Sequence, residues 1–109
     1  MPWHNHAPLI PHVSGPSETW VGIPTSFDVT VYDPDGHSVA VFLAWGDGDT
    51  TQYPDFVASG AAVMFEHTWR RADTFAVTAR CYDIYDPKEP LFSGWSNSLQ
   101  VVVRSSGVR

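Results

Sequence analysis

A turn rich in glycine and aspartate is the feature that most constrains the fold of this chain. The apolar run from Val39 to Trp45 ends in Gly46-Asp-Gly-Asp49, and the turn Asp33-Pro-Asp-Gly36 lies before it. Glycine accepts a positive φ, and aspartate side chains bond the backbone of their own turn. Two such turns on either side of a short apolar run predict one β-strand with well-defined ends.

Apolar and polar residues alternate with a period of two along most of the sequence. Phe27, Val29 and Val31 are predicted to face the core, while Asp28 between them faces solvent. Strands are predicted in or near residues 9–13, 20–21, 25–32, 39–45, 50–53, 62–69, 74–83 and 99–104. Seven to eight short strands of this kind predict an all-β fold, an immunoglobulin-like two-sheet antiparallel β-sandwich.

Size, charge and the lengths of the apolar runs indicate one domain that neither binds nucleic acid nor inserts into a membrane. The chain has 109 residues, a formal net charge of -6 and only six lysines and arginines, whereas nucleic-acid binding draws on clustered basic residues. No apolar run approaches the ~20 residues of a membrane span, and residues 1–6 lack the features of a signal peptide. We assign residues 1–8 to an extended lead-in, 9–104 to the domain and 105–109 to a linker-like tail.

Short motifs of catalysis are missing from the sequence. It contains no Gly-x-Ser-x-Gly elbow, no His-Glu-x-x-His, no glycine-rich phosphate loop and no Cys-x-x-Cys pair.

Cys81 lies on an apolar strand face and is predicted to be a core thiol. His4, His6 and His12 are predicted to be solvated rather than transition-metal ligands, and His67 to be buried and hydrogen-bonded. None of these residues or motifs therefore points to catalysis.

Five motifs follow one another in a fixed order: Asp33-Pro-Asp-Gly36, Trp45-Gly-Asp-Gly48, His67-Thr-Trp69, Thr74-Phe-Ala-Val77 and Asp83. Together they resemble the polycystic kidney disease (PKD) domain family over about residues 8–104. The resemblance implies a non-catalytic β-sandwich, extracellular and secreted or at the cell surface, that acts as a spacer or interaction module. It assigns structural roles to Asp33, Gly36, Trp45, Gly46, Asp47, Gly48, His67, Trp69, Phe75 and Val77.

The chain departs from this family pattern at several positions. His37 stands where the family often has an acid, and Asp73 where a glycine is usual. Phe75 replaces a usual tyrosine, and residues 86–90 lengthen the loop after Asp83. These changes affect loops and single contacts rather than the strand pattern.

Calcium is the candidate cofactor, although none is predicted to be required. In a sandwich of this topology, the turn with Asp33 and Asp35 and the loop after Asp83 lie at the same end, which brings Asp86 near them. Calcium takes several oxygen ligands, and some relatives bind it there with help from the lead-in, where Asn5 is the candidate. The alternative is that Asp33 and Asp35 only bond the backbone of their own turn.

Aromatic residues raise a second class of function, a carbohydrate-binding module, because sugar rings stack on exposed aromatic faces. Trp20, Trp45 and Trp69 are predicted to serve the core. Phe42, Trp95 and Tyr85 are predicted to form an interaction surface for neighbouring domains, other surface proteins or polysaccharide. The rings considered as sugar platforms are Trp3, Tyr53, Tyr82, Tyr85 and Trp95.

Overall fold

A computed structural model describes residues 5–86 and 88–105, and the chain in these ranges forms nine β-strands and no helix. Residues 1–4 of the predicted lead-in, which include Trp3, and residues 106–109 of the predicted tail lie outside the described residues. The strands are β1 His12–Ser14, β2 Glu18–Trp20, β3 Thr25–Thr30, β4 Ala40–Ala44, β5 Thr50–Gln52, β6 Ala62–His67, β7 Asp73–Asp83, β8 Leu91–Phe92 and β9 Leu99–Arg104.

Two sheets pack against each other and confirm the predicted sandwich. The smaller sheet has the order β1-β3-β6, and the larger has the order β2-β9-β7-β4-β5 with β8 paired to β7. Neighbouring strands are antiparallel except β2 and β9, which run parallel. The chain passes from one sheet to the other between Ser14 and Glu18, so β2 arrives beside β9 in the same direction instead of forming a hairpin with β1.

The core lies between the sheets and follows the predicted alternation. On β3, Phe27 and Val29 are buried while Asp28 between them is exposed, and Val31 beyond the strand is also buried. On β7, Cys81 is fully buried, as expected of a core thiol. Burying one large apolar side chain contributes roughly 1.5–3 kcal/mol, so alternation over several strands supplies the driving force for the fold.

Two features of the fold differ from the sequence prediction. β8, which pairs Phe92 with Tyr82, was not expected, because two residues after Pro90 show no alternation. The prediction for Trp20 was wrong: its side chain is 44% exposed. It lies on the edge strand β2, where Thr19 is the residue that faces inward and is buried.

β7 extends over the length of the sandwich and defines its two ends. Its first residue, Asp73, pairs with Val103 near the end of β9. Its last residue, Asp83, lies ten residues further on, a separation of roughly 33 Å in an extended strand. The end with Asp83 is called the acidic end below, and the opposite end carries the Trp45 turn.

Candidate cation site

The turn after β3 buries the Asp33 side chain at the acidic end. Gly36 N donates to the Asp33 carbonyl at 2.9 Å, and Gly36 has a φ of 75°. Asp33 Oδ1 accepts N–H bonds from Asp35 at 2.8 Å and His37 at 3.3 Å. Its Oδ2 is buried and has no hydrogen-bond partner among the described residues. One oxygen of Asp33 therefore stabilises the turn, as the alternative interpretation expected, while the other remains available.

Asp83 reaches the same place from the end of β7. Its side chain is fully buried, and its Oδ1 accepts the N–H of Tyr85 at 2.6 Å. His37 Nδ1 lies 2.9 Å from Asp83 Oδ2 and 3.9 Å from Asp33 Oδ1. The His37 ring stacks on Tyr85 with centroids 4.3 Å apart and planes 1° apart. The fold thus brings Asp33, Asp83 and an imidazole together.

The lead-in contacts this end of the sandwich through two residues. His6 N donates to Asp35 Oδ2 at 2.7 Å, and His6 Nδ1 lies 3.1 Å from Asp35 Oδ1. Asn5 Oδ1 is buried without a hydrogen-bond partner among the described residues. The Asn5 side chain also bonds Asp83. The structure therefore brings Asn5 to the end of the sandwich that holds Asp33, Asp35 and Asp83, the set that the sequence singled out for calcium.

Asp86, the fifth residue of that set, is not brought into the group. It is exposed, and its Oδ1 accepts the backbone N–H of Lys88 at 3.0 Å. Asp86 therefore stabilises its own loop through this backbone bond and does not reach the group of Asp33, Asp35 and Asp83.

The electrostatics of the acidic end reflect buried carboxylates in close proximity. Burial raises the pKa of Asp33 above its ordinary value, and the neighbouring Asp83 side chain raises it further. The backbone N–H groups of Asp35 and His37 act in the opposite direction, but their effect is smaller. Burial also acts to raise the pKa of Asp83, but bonds from His37, Tyr85, Asp33 and Asn5 outweigh it and lower that pKa. The bond to Asp83 raises the pKa of His37. A positive charge is therefore favoured at this end.

The donor groups fit a divalent cation. Donor atoms of Asp33, Asp35 and His37 all lie within 4.8 Å of one another. Buried polar atoms almost always have a partner, so the two orphaned oxygens of Asp33 and Asn5 are acceptors open to a donor or a cation. A bound ion would satisfy both oxygens and would link the lead-in to the turn and to β7.

At the opposite end, the motif residues bond one another instead. Asp47 Oδ2 lies 2.8 Å from His67 Nε2, and Asp47 Oδ1 accepts the Asp49 N–H at 3.0 Å. The His67 ring stacks on Trp45 at 4.5 Å, and Trp69 Nε1 donates to the Trp45 carbonyl at 3.3 Å. With their polar atoms used in this way, these residues shape the turn and the core around it.

The outer side of the larger sheet carries a group of rings around one arginine. This aromatic face consists of Phe42, Arg80, Tyr82, Phe92 and Trp95. The Arg80 guanidinium lies 4.7 Å from the Phe92 ring centroid and 5.6 Å from that of Trp95, and Trp95 meets Phe42 edge to face at 5.5 Å. Phe42 and Trp95 are thus neighbours as expected for one surface, whereas Tyr85 lies at the acidic end against His37.

Solved structures similar to this chain identify its family. One is the PKD domain of an M14-like peptidase from a Thermoplasmatales archaeon, at 33% identity and a TM-score of 0.82, covering 93% of this chain and 99% of that chain. Another is a CARDB domain from Pyrococcus furiosus in complex with di-metal ions, at 15% identity and a TM-score of 0.63, covering 96% and 100%. The second likeness concerns the fold alone. No protein-family model and no curated protein matches the sequence.

These findings define the chain first as an immunoglobulin-like β-sandwich and then by family: it belongs to the PKD domain family. The PKD domain is a non-catalytic type of domain, although the similar one is part of a peptidase. No helix in the described part of the chain is long and apolar enough to cross a membrane.

Proposed function

We propose that this domain is an extracellular, non-catalytic accessory module that spaces or docks neighbouring domains of a larger secreted or cell-surface protein. The observation that carries the proposal is the position of the first and last strands and loops that the structure describes. Asn5 and His6 lie at the acidic end, whereas Arg104 lies at the opposite end of β7, where Asp73 pairs with Val103. Domains joined at these two points are held roughly 33 Å apart by the sandwich.

A divalent cation, for which the sequence predicts calcium, completes this spacer in our proposal by fixing the lead-in. The lead-in contacts the acidic end through the bond of His6 to Asp35 and the bond of Asn5 to Asp83, while the oxygen of Asn5 has no partner among the described residues. An ion shared by Asn5, Asp33, Asp35 and Asp83 adds bonds that tie the entering chain to β7. The ion then stiffens the joint between this domain and the preceding one.

Energy transfer between two fluorescent proteins fused to the ends of the chain tests both parts of the proposal. We expect a narrow distribution of transfer efficiencies with calcium or zinc and a broad one with a chelator. Because a ligand at 100 times its Kd stabilises the native state by about 2.7 kcal/mol, we also expect Tm to rise by on the order of 10 °C.

Two aspartate variants make this experiment specific. Asp35→Asn is expected to abolish the response to the ion, whereas Asp86→Asn, outside the group, is expected to keep it. An equally narrow distribution and the same Tm in every condition would contradict the cation, and a broad distribution in every condition would contradict the spacer.

The aromatic face supports carbohydrate binding as a second candidate function. Trp95 and Phe92 are 46% and 42% exposed, and the Tyr82 hydroxyl, 3.2 Å from Gln52 Nε2, supplies polar atoms beside the rings. We expect a glycan array to show binding that Trp95→Ala removes. Trp20→Ala, which changes an equally exposed tryptophan on β2, is the matched control and is expected to bind normally. A blank array with the unaltered chain contradicts this candidate.

A further inference from the structure

We propose, resting on the cation site proposed above, that the acidic end selects a transition-metal ion of the zinc class and that His37 Nδ1 is one of its ligands. The sequence pattern pointed to oxygen ligands alone. The structure adds a nitrogen at the centre of the group, 2.9 Å from Asp83 Oδ2. With this ring, the donor set contains an imidazole nitrogen as well as oxygens, and a different ion fits it.

Proximity favours a mixed donor set over an oxygen-only one. At the opposite end, Asp47, Asp49 and His67 also have donor atoms within 4.8 Å of one another, but Asp47 and His67 bond each other there. At the acidic end, the side chains whose donor atoms all lie within 4.8 Å of one another are Asp33, Asp35 and His37. An ion placed among them contacts one imidazole and two carboxylates. Calcium prefers six to eight oxygen ligands, whereas zinc binds imidazole nitrogen together with carboxylate oxygen.

The spacing of the donor atoms is also near that of a small coordination shell. Ligands about 2.1 Å from a tetrahedral ion are about 3.4 Å from one another. His37 Nδ1 lies 2.9 Å from Asp83 Oδ2 and 3.9 Å from Asp33 Oδ1. Both distances from the imidazole nitrogen are within about half an ångström of that spacing, and on binding the ion the proton that His37 shares with Asp83 leaves to solvent.

Burial and packing set this group apart from an ordinary cluster of surface acids. The Asp33 and Asp83 side chains are completely buried, and Asp33 Oδ2 has no hydrogen-bond partner among the described residues. The His37 side chain is only 22% exposed, and its ring is stacked on Tyr85. A ligand ring held in a fixed orientation and an orphaned buried oxygen are both properties of a prepared metal site.

Calorimetric titration of the whole chain with Zn²⁺ and with Ca²⁺ tests the proposal. We expect Zn²⁺ to bind more tightly than Ca²⁺, and His37→Ala to weaken Zn²⁺ binding ~10-fold or more. His12→Ala changes an exposed histidine on β1 and is expected to leave Zn²⁺ binding unchanged. His37→Asp replaces the nitrogen by a carboxylate and is expected to shift the preference towards Ca²⁺. Visible absorption of bound Co²⁺ that changes in His37→Ala reports the imidazole directly.

The possible outcomes separate the ion identity from the cation site itself. If Ca²⁺ binds at least as tightly as Zn²⁺ and loses affinity in Asp35→Asn, the zinc inference is wrong and the cation site stands. If Zn²⁺ binding is lost in His12→Ala rather than in His37→Ala, the ion binds exposed histidines and the inference is wrong. If neither ion binds, the inference and the cation site both fail.

Discussion

Gly46→Ala is expected to lower the free energy of unfolding by about 3 kcal/mol or more. Gly46 has a φ of 83°, which L-residues with a side chain rarely adopt. A Cβ atom there would lie 2.8 Å from the Ala76 carbonyl oxygen and 2.9 Å from the Ala76 nitrogen. These are backbone atoms of β7 in the middle of the larger sheet, so they cannot move aside without disturbing its pairing with β9.

Gly48→Ala is the matched control for this prediction. Gly48 lies in the same turn with a φ of 97°, but a Cβ atom there would meet nothing within 4 Å. Only the conformational cost of about 1–2 kcal/mol is expected. Urea unfolding of the two variants measures the difference. Equal losses of stability would mean that the close approach of the turn to β7 contributes nothing.

The fold was predictable because its signals are local. The alternation of Phe27, Val29 and Val31 fixes which face of β3 is buried, and the glycine turns fix where β4 begins and ends. These signals need no knowledge of distant residues. The family motifs add the fold class, and the solved PKD domain confirms the sandwich.

The elements that the sequence did not predict depend on partners far along the chain. The segment after β8 follows β7 through two buried serines: Ser93 Oγ accepts the Cys81 N–H at 3.1 Å, and Ser96 Oγ accepts the Ala79 N–H at 2.8 Å. In the sequence, serines spaced in this way look the same as the serines of an ordinary loop. Trp20 was predicted to serve the core, whereas its exposure follows from the edge position of β2.

The candidate site shows the same division between local and distant information. Asp33 and Asp35 were recognisable from their turn, and their proximity to Asp83 followed from the expected topology. His37 was not singled out as a ligand, although it was noted as a departure from the family pattern. Its contact with Asp83 spans 46 positions, and the direction of its ring depends on stacking against Tyr85. Neither the contact with Asp83 nor the orientation of the ring can be inferred from the residue types in the turn.

Trp69→Ala is expected to cost about 3–5 kcal/mol of unfolding free energy. Trp69 is fully buried, and its ring lies within 6 Å, between centroids, of Phe27, Trp45 and Phe75. Its removal leaves a cavity between the sheets and an unpaired Trp45 carbonyl, which Trp69 Nε1 now bonds at 3.3 Å. A domain of this size has a total stability of about 5–15 kcal/mol, so this loss is a large part of it.

Trp95→Ala provides the control for the loss of a large aromatic ring, because Trp95 is 46% exposed on the aromatic face. We expect it to cost about 1 kcal/mol or less, since truncation at a half-exposed site leaves a surface that water can fill. Urea unfolding gives both values from the midpoint and the slope. If Trp69→Ala were no more destabilising than Trp95→Ala, the ring cluster around Trp69 would not be the centre of stability, and the family motif residues would serve the turn rather than the core.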